Sequence, residues 1–518
     1  MKMYFSLLFL FLASNPQKIS AQQFSLIWEE AYEKNQLIST ETGVTTNTGN
    51  IISFYTKQST ARKYWNRFMD ITELILFDPN MKELKKVALT INDDYVSDAK
   101  LMNRGGNIYM LYNSYDKETA TTAAYAVKID EETLTVTDKI LLARTSPKKS
   151  RRFTAATIPT ETTRYVYSAD SSLLLAFLDE EGGNKENKKF SIGVFDKNFE
   201  KQWSSSVEFE QPNAETVLLN LSLSNYGRAF VIFREKDQNS KAFQQNAMMH
   251  IFDKDNLKGR KIQLSKEKLI SDARISFDSE NSITVVGLYK TAQNGNINGV
   301  IYQKIDLTTL KYIISKSIPF PTEFLALIDN DGFANKKGSD PGISRKFYLG
   351  GIFNRPNGSI DIVAEFINQV YRGDARSGRW EYLFGDVITV NFSLAGEPTF
   401  TRIPKKQENV SLRQYMSYMP FLYNDKLIIM YNDDRSNLER DINDKPDKIL
   451  YYSKSLLTAA IIDTDGKVIR KLVYDNKESE FITNPTLSYR ISSNQIQIEG
   501  IRYRLASDKR KMGILTIK

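Results

Sequence analysis

Ile192-Gly-Val-Phe-Asp196 is the stretch on which the fold reading turns: an apolar strand end, then an Asp that opens a turn into a second strand. The same element returns six more times. The copies are Leu74-Ile-Leu-Phe-Asp78, Ala126-Val-Lys-Ile-Asp130, Met249-His-Ile-Phe-Asp253, Tyr302-Gln-Lys-Ile-Asp306, Val387-Ile-Thr-Val-Asn391 and Ala459-Ala-Ile-Ile-Asp463. The residue before the turn is always Phe, Ile or Val, as a buried strand end requires. An Asp or Asn at this position hydrogen-bonds its own turn, so these side chains have a structural explanation that needs no catalysis.

Outward from each copy, the interval to the next averages about 64 residues, within the range of repeat architectures. Each interval holds two earlier strands. Ala99 to Met102, a Gly105-Gly106 turn and Ile108 to Tyr112 precede the second copy; Val217 to Ser222, Asn225-Tyr-Gly227 and Ala229 to Phe233 precede the fourth. Helical periodicity is almost absent, and runs rich in Val, Ile, Tyr and Phe alternate with Asn, Asp and Gly punctuation. The fold class is therefore all-β, and four antiparallel strands per unit make a propeller blade. An eighth unit is split between the ends of the chain. Leu487 to Ile491, Gln495 to Tyr503 and Met512 to Ile517 supply three strands, and Phe24-Ser-Leu-Ile-Trp28 is expected to complete the blade and close the ring. Eight blades are expected, with seven as the alternative if one unit is degenerate. The spacing is too long for a β-helix, and no linker rich in Pro, Gly or Ser divides the chain.

The composition of the 518 residues, 41% hydrophobic, 25% charged and 12% aromatic, excludes disorder and a polytopic membrane protein. A formal net charge of +8 with Lys and Arg interleaved among Asp and Glu excludes a nucleic-acid binder, which would concentrate its basic residues. The absence of cysteine removes disulfides, thiolate metal sites and a lipid-modified N-terminal cysteine. Met1-Lys2-Met3, the apolar run Tyr4 to Ala13 and Ile19-Ser20-Ala21 before Gln22 read as a secretory signal peptide over 1–21, which leaves 22–518 as a single propeller domain. The apolar run is too short to span a membrane. The expectation is an exported protein, periplasmic or secreted, and not a lipoprotein.

In this leader and in its strand pattern the chain resembles exported propeller proteins of Bacteroidota, within the β-propeller superfold. It departs from the named subfamilies: it has no Gly-His paired with Trp-Asp, no kelch double glycine with spaced aromatics, and no Ser-x-Asp-x-Gly-x-Thr-Trp box. The resemblance implies a fold and leaves function open, since propellers host enzymes, binding modules and scaffolds.

With the strands of a blade lettered A to D from the axis outward, the A–B and C–D turns are short and the B–C and D–A connections long. These two classes lie on opposite faces, so the long connections mark the expected binding face. Three stand out: Ala326 to Lys346, Asn368 to Tyr382, and Asn432 to Lys454 with Arg435, Arg440 and Asp441. In the second, Tyr371, Arg372, Arg376, Arg379 and Trp380 combine guanidinium forks with flat aromatic faces, suited to acidic groups and stacked sugar rings. Arg62-Lys-Tyr-Trp-Asn-Arg67 repeats that chemistry in the first blade. Candidate catalysis is thinner. His250 is the only histidine and lies inside a strand, so it reads as structural. Asp329-Asn-Asp-Gly332 lacks the alternating ligands and distal Glu of a calcium loop, Asp179 to Glu181 reads as a solvated loop tip, and no carboxylate pair stands out for glycoside cleavage. No metal and no cofactor is expected. The chain reads as a non-catalytic binding or scaffolding protein for a glycan, peptide or envelope protein, the alternative being an extracellular polysaccharide hydrolase or lyase.

Overall fold

The computed structural model describes residues 24–28, 32–33, 43–57, 70–79, 82–89, 91, 93, 96–116, 118–145, 163–180, 185–236, 245–265, 267–329, 341–373, 378–409, 413–502 and 509–518. Among them lie eight antiparallel sheets, each with a path of four strands. In chain order they occupy 43–88, 96–144, 163–212, 216–263, 269–319, 347–409, 418–475 and 482–517. The last takes its fourth strand, Phe24–Trp28, from the other end of the chain.

The sheets form a closed ring because each packs face to face on the next. Phe54 and Leu74 of the first sheet meet Leu101 and Met110 of the second, and Phe230 and Met249 of the fourth meet Ile275 and Val285 of the fifth. Val363 and Val387 of the sixth meet Ile429 and Ala460 of the seventh. Ile51 and Ile75 of the first sheet pack on Met512 and Ile514 of the eighth, which joins the ends of the circle. The first strands of neighbouring sheets touch, Thr216–Leu223 with Leu269–Ser279 and the latter with Phe347–Asn354, so they surround the axis. This arrangement is a β-propeller.

Alternation explains why one strand serves two interfaces. In Ala229–Lys236, Phe230 and Ile232 face the fifth sheet while Val231 and Phe233 face the third. Such strands are apolar on both faces, which accounts for the near-continuous hydrophobic runs in the repeat.

All seven copies lie in the third strand of their sheet. The Asp Oδ1 accepts a turn N–H from Lys82 at Asp78, Thr133 at Asp130, Asn198 at Asp196 and Thr309 at Asp306, at 2.7–2.8 Å. These bonds hold the Asp130 and Asp306 carboxyls below the usual range. Asn391 departs from this expectation. It lies within Arg379–Phe392, and the turn is opened two residues later by Ser393, whose Oγ accepts from Glu397 N at 3.1 Å. Asn391 instead donates to Asp361 Oδ1 at 2.9 Å.

Phe24–Trp28 pairs antiparallel along the last strand, from Phe24 opposite Ile517 to Trp28 opposite Gly513. Trp28 lies flat enough on Gly513 that a Cβ there would come 2.7 Å from its ring. Residues 1–23, where the leader and its cleavage site are expected, lie outside the described residues.

Candidate functional site

No A–B or C–D connection exceeds six residues, whereas the D–A connection between Pro319 and Phe347 spans 320–346 and the B–C connection of the seventh sheet spans 434–455. The opposite face is not uniformly elaborate: the B–C connection of the second sheet is only 117–120.

The segment Asn368 to Tyr382 differs from the expected loop. Ile360–Arg372 and Arg379–Phe392 continue as paired strands past the body of the sixth sheet, with Tyr371 opposite Trp380 and Arg372 opposite Arg379. Only residues 373–378 connect them, and Arg376 lies outside the described residues. The extension is possible because Gln407–Asn409 pairs along Tyr382 to Phe384 and carries the sheet outward. Sequence reasoning read the Gly and Arg content as a loop; the β-branched and aromatic residues Val370, Tyr371, Trp380 and Tyr382 on either side of Gly373 to Gly378 are the strand signal that it passed over.

The hairpin brings four of the five candidate residues together. Tyr371 and Trp380 meet edge to face with ring centroids 5.3 Å apart, yet remain 44% and 49% exposed. Cross-strand aromatic pairs stabilise a hairpin and stiffen it. Arg372 Nε lies 2.6 Å from Glu381 Oε2 and Arg379 Nη2 lies 3.9 Å from Glu381 Oε1. One carboxylate thus orients two guanidinium groups that keep most of their donors in solvent. Beside them is a groove of about 430 Å³ lined by Asn368, Val370, Arg372, Tyr382, Lys448 and Leu450.

Lys448 and Leu450 belong to the third long segment, which the sequence placed on the binding face through Arg435, Arg440 and Asp441 rather than through these two residues. Ile449 and Tyr452 are buried with Phe384, Tyr415, Ile482 and Ile501 in a small apolar cluster above the sixth to eighth sheets. Leu450 and Tyr451 between them are left exposed. The apolar run Ile449 to Tyr452 inside a charged segment was the available signal. Arg435 pairs with Asp475 and Arg440 with Asp447, so these two arginines hold the loop's own structure. Asp441 Oδ1 accepts from Asn443 N at 2.8 Å, another local bond.

The loop rests on a polar layer between the sixth and seventh sheets. Asp433 Oδ1 accepts from Asn437 Nδ2 at 2.7 Å, and Asn437 also donates to Asp447 O at 2.8 Å. Burial pushes the Asp433 carboxyl up to about 7. Arg402 Nε donates to Asp386 Oδ2 at 2.6 Å. Fully buried Lys405 pairs with Glu365 and donates to Gln407 Oε1 at 3.0 Å, while Ser417 Oγ donates to Glu365 Oε2 at 2.5 Å. Burial raises the Glu365 carboxyl and lowers the Lys405 ammonium, and each opposes the other's shift. These carboxylates do not line the groove; the two that do, Glu381 and Glu408, are each paired with basic side chains, Glu381 with Arg372 and Arg379 and Glu408 with Lys406 and Lys448.

The remaining candidates are placed as follows. His250 is buried, with Nε2 2.7 Å from Glu235 Oε1 and its ring stacked on Phe209 at 4.5 Å, a structural role. Asp179 and Glu180 are not a loop tip: they end the strand Leu174–Glu180, Asp179 paired with Lys188, and Glu180 is buried. Ala326 to Asp329 close a helix, Thr322–Asp329. Residues 330–340, with the rest of the Asp329 to Gly332 run, and Arg62 to Arg67 lie outside the described residues. Among the described residues, no group of three or more His, Asp or Glu is placed to hold a metal. No helix among them is long and apolar enough to cross a membrane.

No protein-family model matches the chain, and no curated protein matches it. Among solved structures it is similar to the WD40 domain of SCAP from fission yeast, at 9% identity over 95% of this chain and 94% of that one, with a TM-score of 0.39. It is also similar to the β-propeller domain of the Trilobed protease from Pyrococcus furiosus, at 10% identity over 86% and 98%, TM-score 0.36. A third is an α-L-arabinanase from Penicillium chrysogenum complexed with arabinobiose, at 10% identity over 65% and 92%, TM-score 0.31. The propeller assignment rests on the sheet topology and the closure of the ring.

Proposed function

We propose that this protein is a non-catalytic binding or scaffolding protein whose long-connection face holds a glycan, peptide or envelope protein. The observation that carries the reading is the Tyr371–Trp380 pair, half exposed on a stiff hairpin and flanked by Arg372 and Arg379. The aromatic pair stands on one face of the hairpin while Arg372, Val370 and Leu450 line the groove on the other, so the hairpin presents aromatic surface and oriented guanidinium groups, the residue types of interface hot spots. A rigid strand scaffold lowers the ordering cost of binding.

An array of acidic and neutral glycans and cell-envelope fragments, probed with wild type and the Arg372→Ala/Trp380→Ala double variant, tests the reading. Wild type is expected to bind and the variant to lose binding, with stability changed by about 0.5 kcal/mol or less, as for exposed substitutions. Equal binding by both proteins would remove the hairpin from the site.

The leader supports export to the periplasm or beyond, in keeping with the resemblance to exported propellers of Bacteroidota. Mass spectrometry of the exported protein should find an N-terminus at or near Gln22 and no lipid. A product that still begins at Met1 would refute this part.

A further inference from the structure

Asp433 ends the strand Lys426–Asp433 with its side chain toward the sixth sheet, since Leu427, Ile429 and Tyr431 on the same face pack there on Val363 and Val387. Asp433 is 1% exposed. Its Oδ1 accepts from Asn437 Nδ2 at 2.7 Å and from Asp434 N at 2.9 Å, whereas Oδ2 is buried with no hydrogen-bond partner among the described residues. An ionised carboxylate accepts at both oxygens and loses its hydration on burial, so a half-satisfied site of this kind favours the neutral acid.

The charges around Asp433 do not reverse that preference. On the sixth sheet Asp386 pairs with Arg402 and Glu365 with Lys405. On the seventh its neighbours are Tyr431 and Arg470; Arg470 favours ionisation, but it donates to Arg440 O. In the connection that follows, Asp434 repels a second negative charge and Arg435 pairs with Asp475. Burial is the largest of these effects, ahead of the Asn437 bond and the Arg470 charge, and it leaves the carboxyl at about 7.

Asn437 seats the long connection on this carboxyl. Itself fully buried, it also donates from Nδ2 to Asp447 O and accepts from Asp447 N at Oδ1, both at 2.8 Å. One amide therefore closes 437–447 into a ring that rests on Asp433. Lys448, part of the wall of the groove beside the hairpin, follows directly. Ile449 and Tyr452 are buried in their own apolar cluster, so the far end of the segment has a separate anchor. The other hold on the ring from the sixth sheet is long: Arg402 Nη1 lies 3.4 Å from both Asn443 O and Asp444 O.

We propose that Asp433 is a proton-operated latch: its neutral carboxyl holds 434–448 against the sixth and seventh sheets, and ionisation releases that stretch together with the Lys448 wall of the groove. In the released state the carboxyl is hydrated and returns to its ordinary range near about 4. The docked state thus holds the extra proton. Its advantage is fully present below about 4 and is lost as pH rises to about 7. Opening should increase by up to about tenfold per pH unit through this window and level off above it. The latch acts whatever the hairpin binds.

Hydrogen exchange at pH 5, 6, 7 and 8, with each rate divided by the intrinsic rate at that pH, is the test. Wild type is expected to lose protection across 434–448 by at least about tenfold between pH 5 and pH 7 and little more by pH 8. The strand Leu456–Ile462 should stay protected throughout. Asp433→Asn keeps a neutral acceptor for Asn437 and should hold the segment protected at every pH. Asn437→Ala should lose protection at pH 5 as well as at pH 8. Protection of 434–448 that does not change with pH in wild type, a result that needs no variant, would overturn the proposal. So would an unaltered pH dependence in Asp433→Asn, which would assign it to Glu365 or another neighbour, or full protection in Asn437→Ala.

Discussion

Replacing Lys405 with Met should destabilise the protein by about 3–5 kcal/mol at pH 8, the usual cost of stranding one member of a buried ion pair. Lys405 is fully buried, and its ammonium bonds Glu365 and Gln407. Without it, Glu365 keeps only the Ser417 hydroxyl as a described side-chain partner. Burial already raises the Glu365 carboxyl and Lys405 is the group that opposes this, so the variant raises it further. A folded-state value above the unfolded one means that the native state holds the extra proton. Stability is then retained at low pH and lost as pH rises through the raised value. Urea denaturation at pH 5 and pH 8 should therefore show a larger deficit at pH 8, and Lys405→Met/Glu365→Gln should recover most of it. Wild-type stability for the single variant at pH 8 would show that the pair is not a structural anchor.

Shortening the chain to begin at residue 31 should have an effect of similar size. Phe24, Leu26 and Trp28 pack on the core between the seventh and eighth sheets, and Trp28 meets Tyr474 edge to face at 5.6 Å. These side chains are partly buried, so about 3–5 kcal/mol is expected from the lost apolar contact. The deletion also strips the strand that pairs with Gly513 to Ile517 and leaves a long exposed edge. A substantial fall in melting temperature should accompany self-association on gel filtration. Cooperative unfolding at the wild-type temperature, with the protein monomeric, would show that the ring does not need this strand.

The fold was legible because its signals are local and repeated. Each third strand ends in an apolar residue followed by a turn residue, and seven copies of this element, read together, set the period, the strand count per sheet and the strand needed at the N-terminus. The one misplaced copy, Val387 to Asn391, shows the limit: Asn391 suits a turn by residue type, but the pairing of the sheet puts the turn at Ser393.

The candidate site was half legible. Tyr371, Arg372, Arg379 and Trp380 were recognisable by chemistry. Their pairing as a hairpin depends on Gln407–Asn409, a strand whose partner lies more than twenty residues earlier in the chain. Leu450 comes to the groove only because Ile449 and Tyr452 are drawn into a cluster built from the sixth and eighth sheets and the connection before the seventh. The buried charges Glu365, Lys405, Asp386 and Arg402 look like ordinary surface residues in sequence, since a charge reveals its burial only through partners remote in the chain. The sequence by itself determined the repeating strands and the closed ring, because strand period and turn chemistry act between near neighbours. The tertiary structure alone decided which charges are buried and which are paired, because electrostatics acts through space between residues that the chain keeps apart.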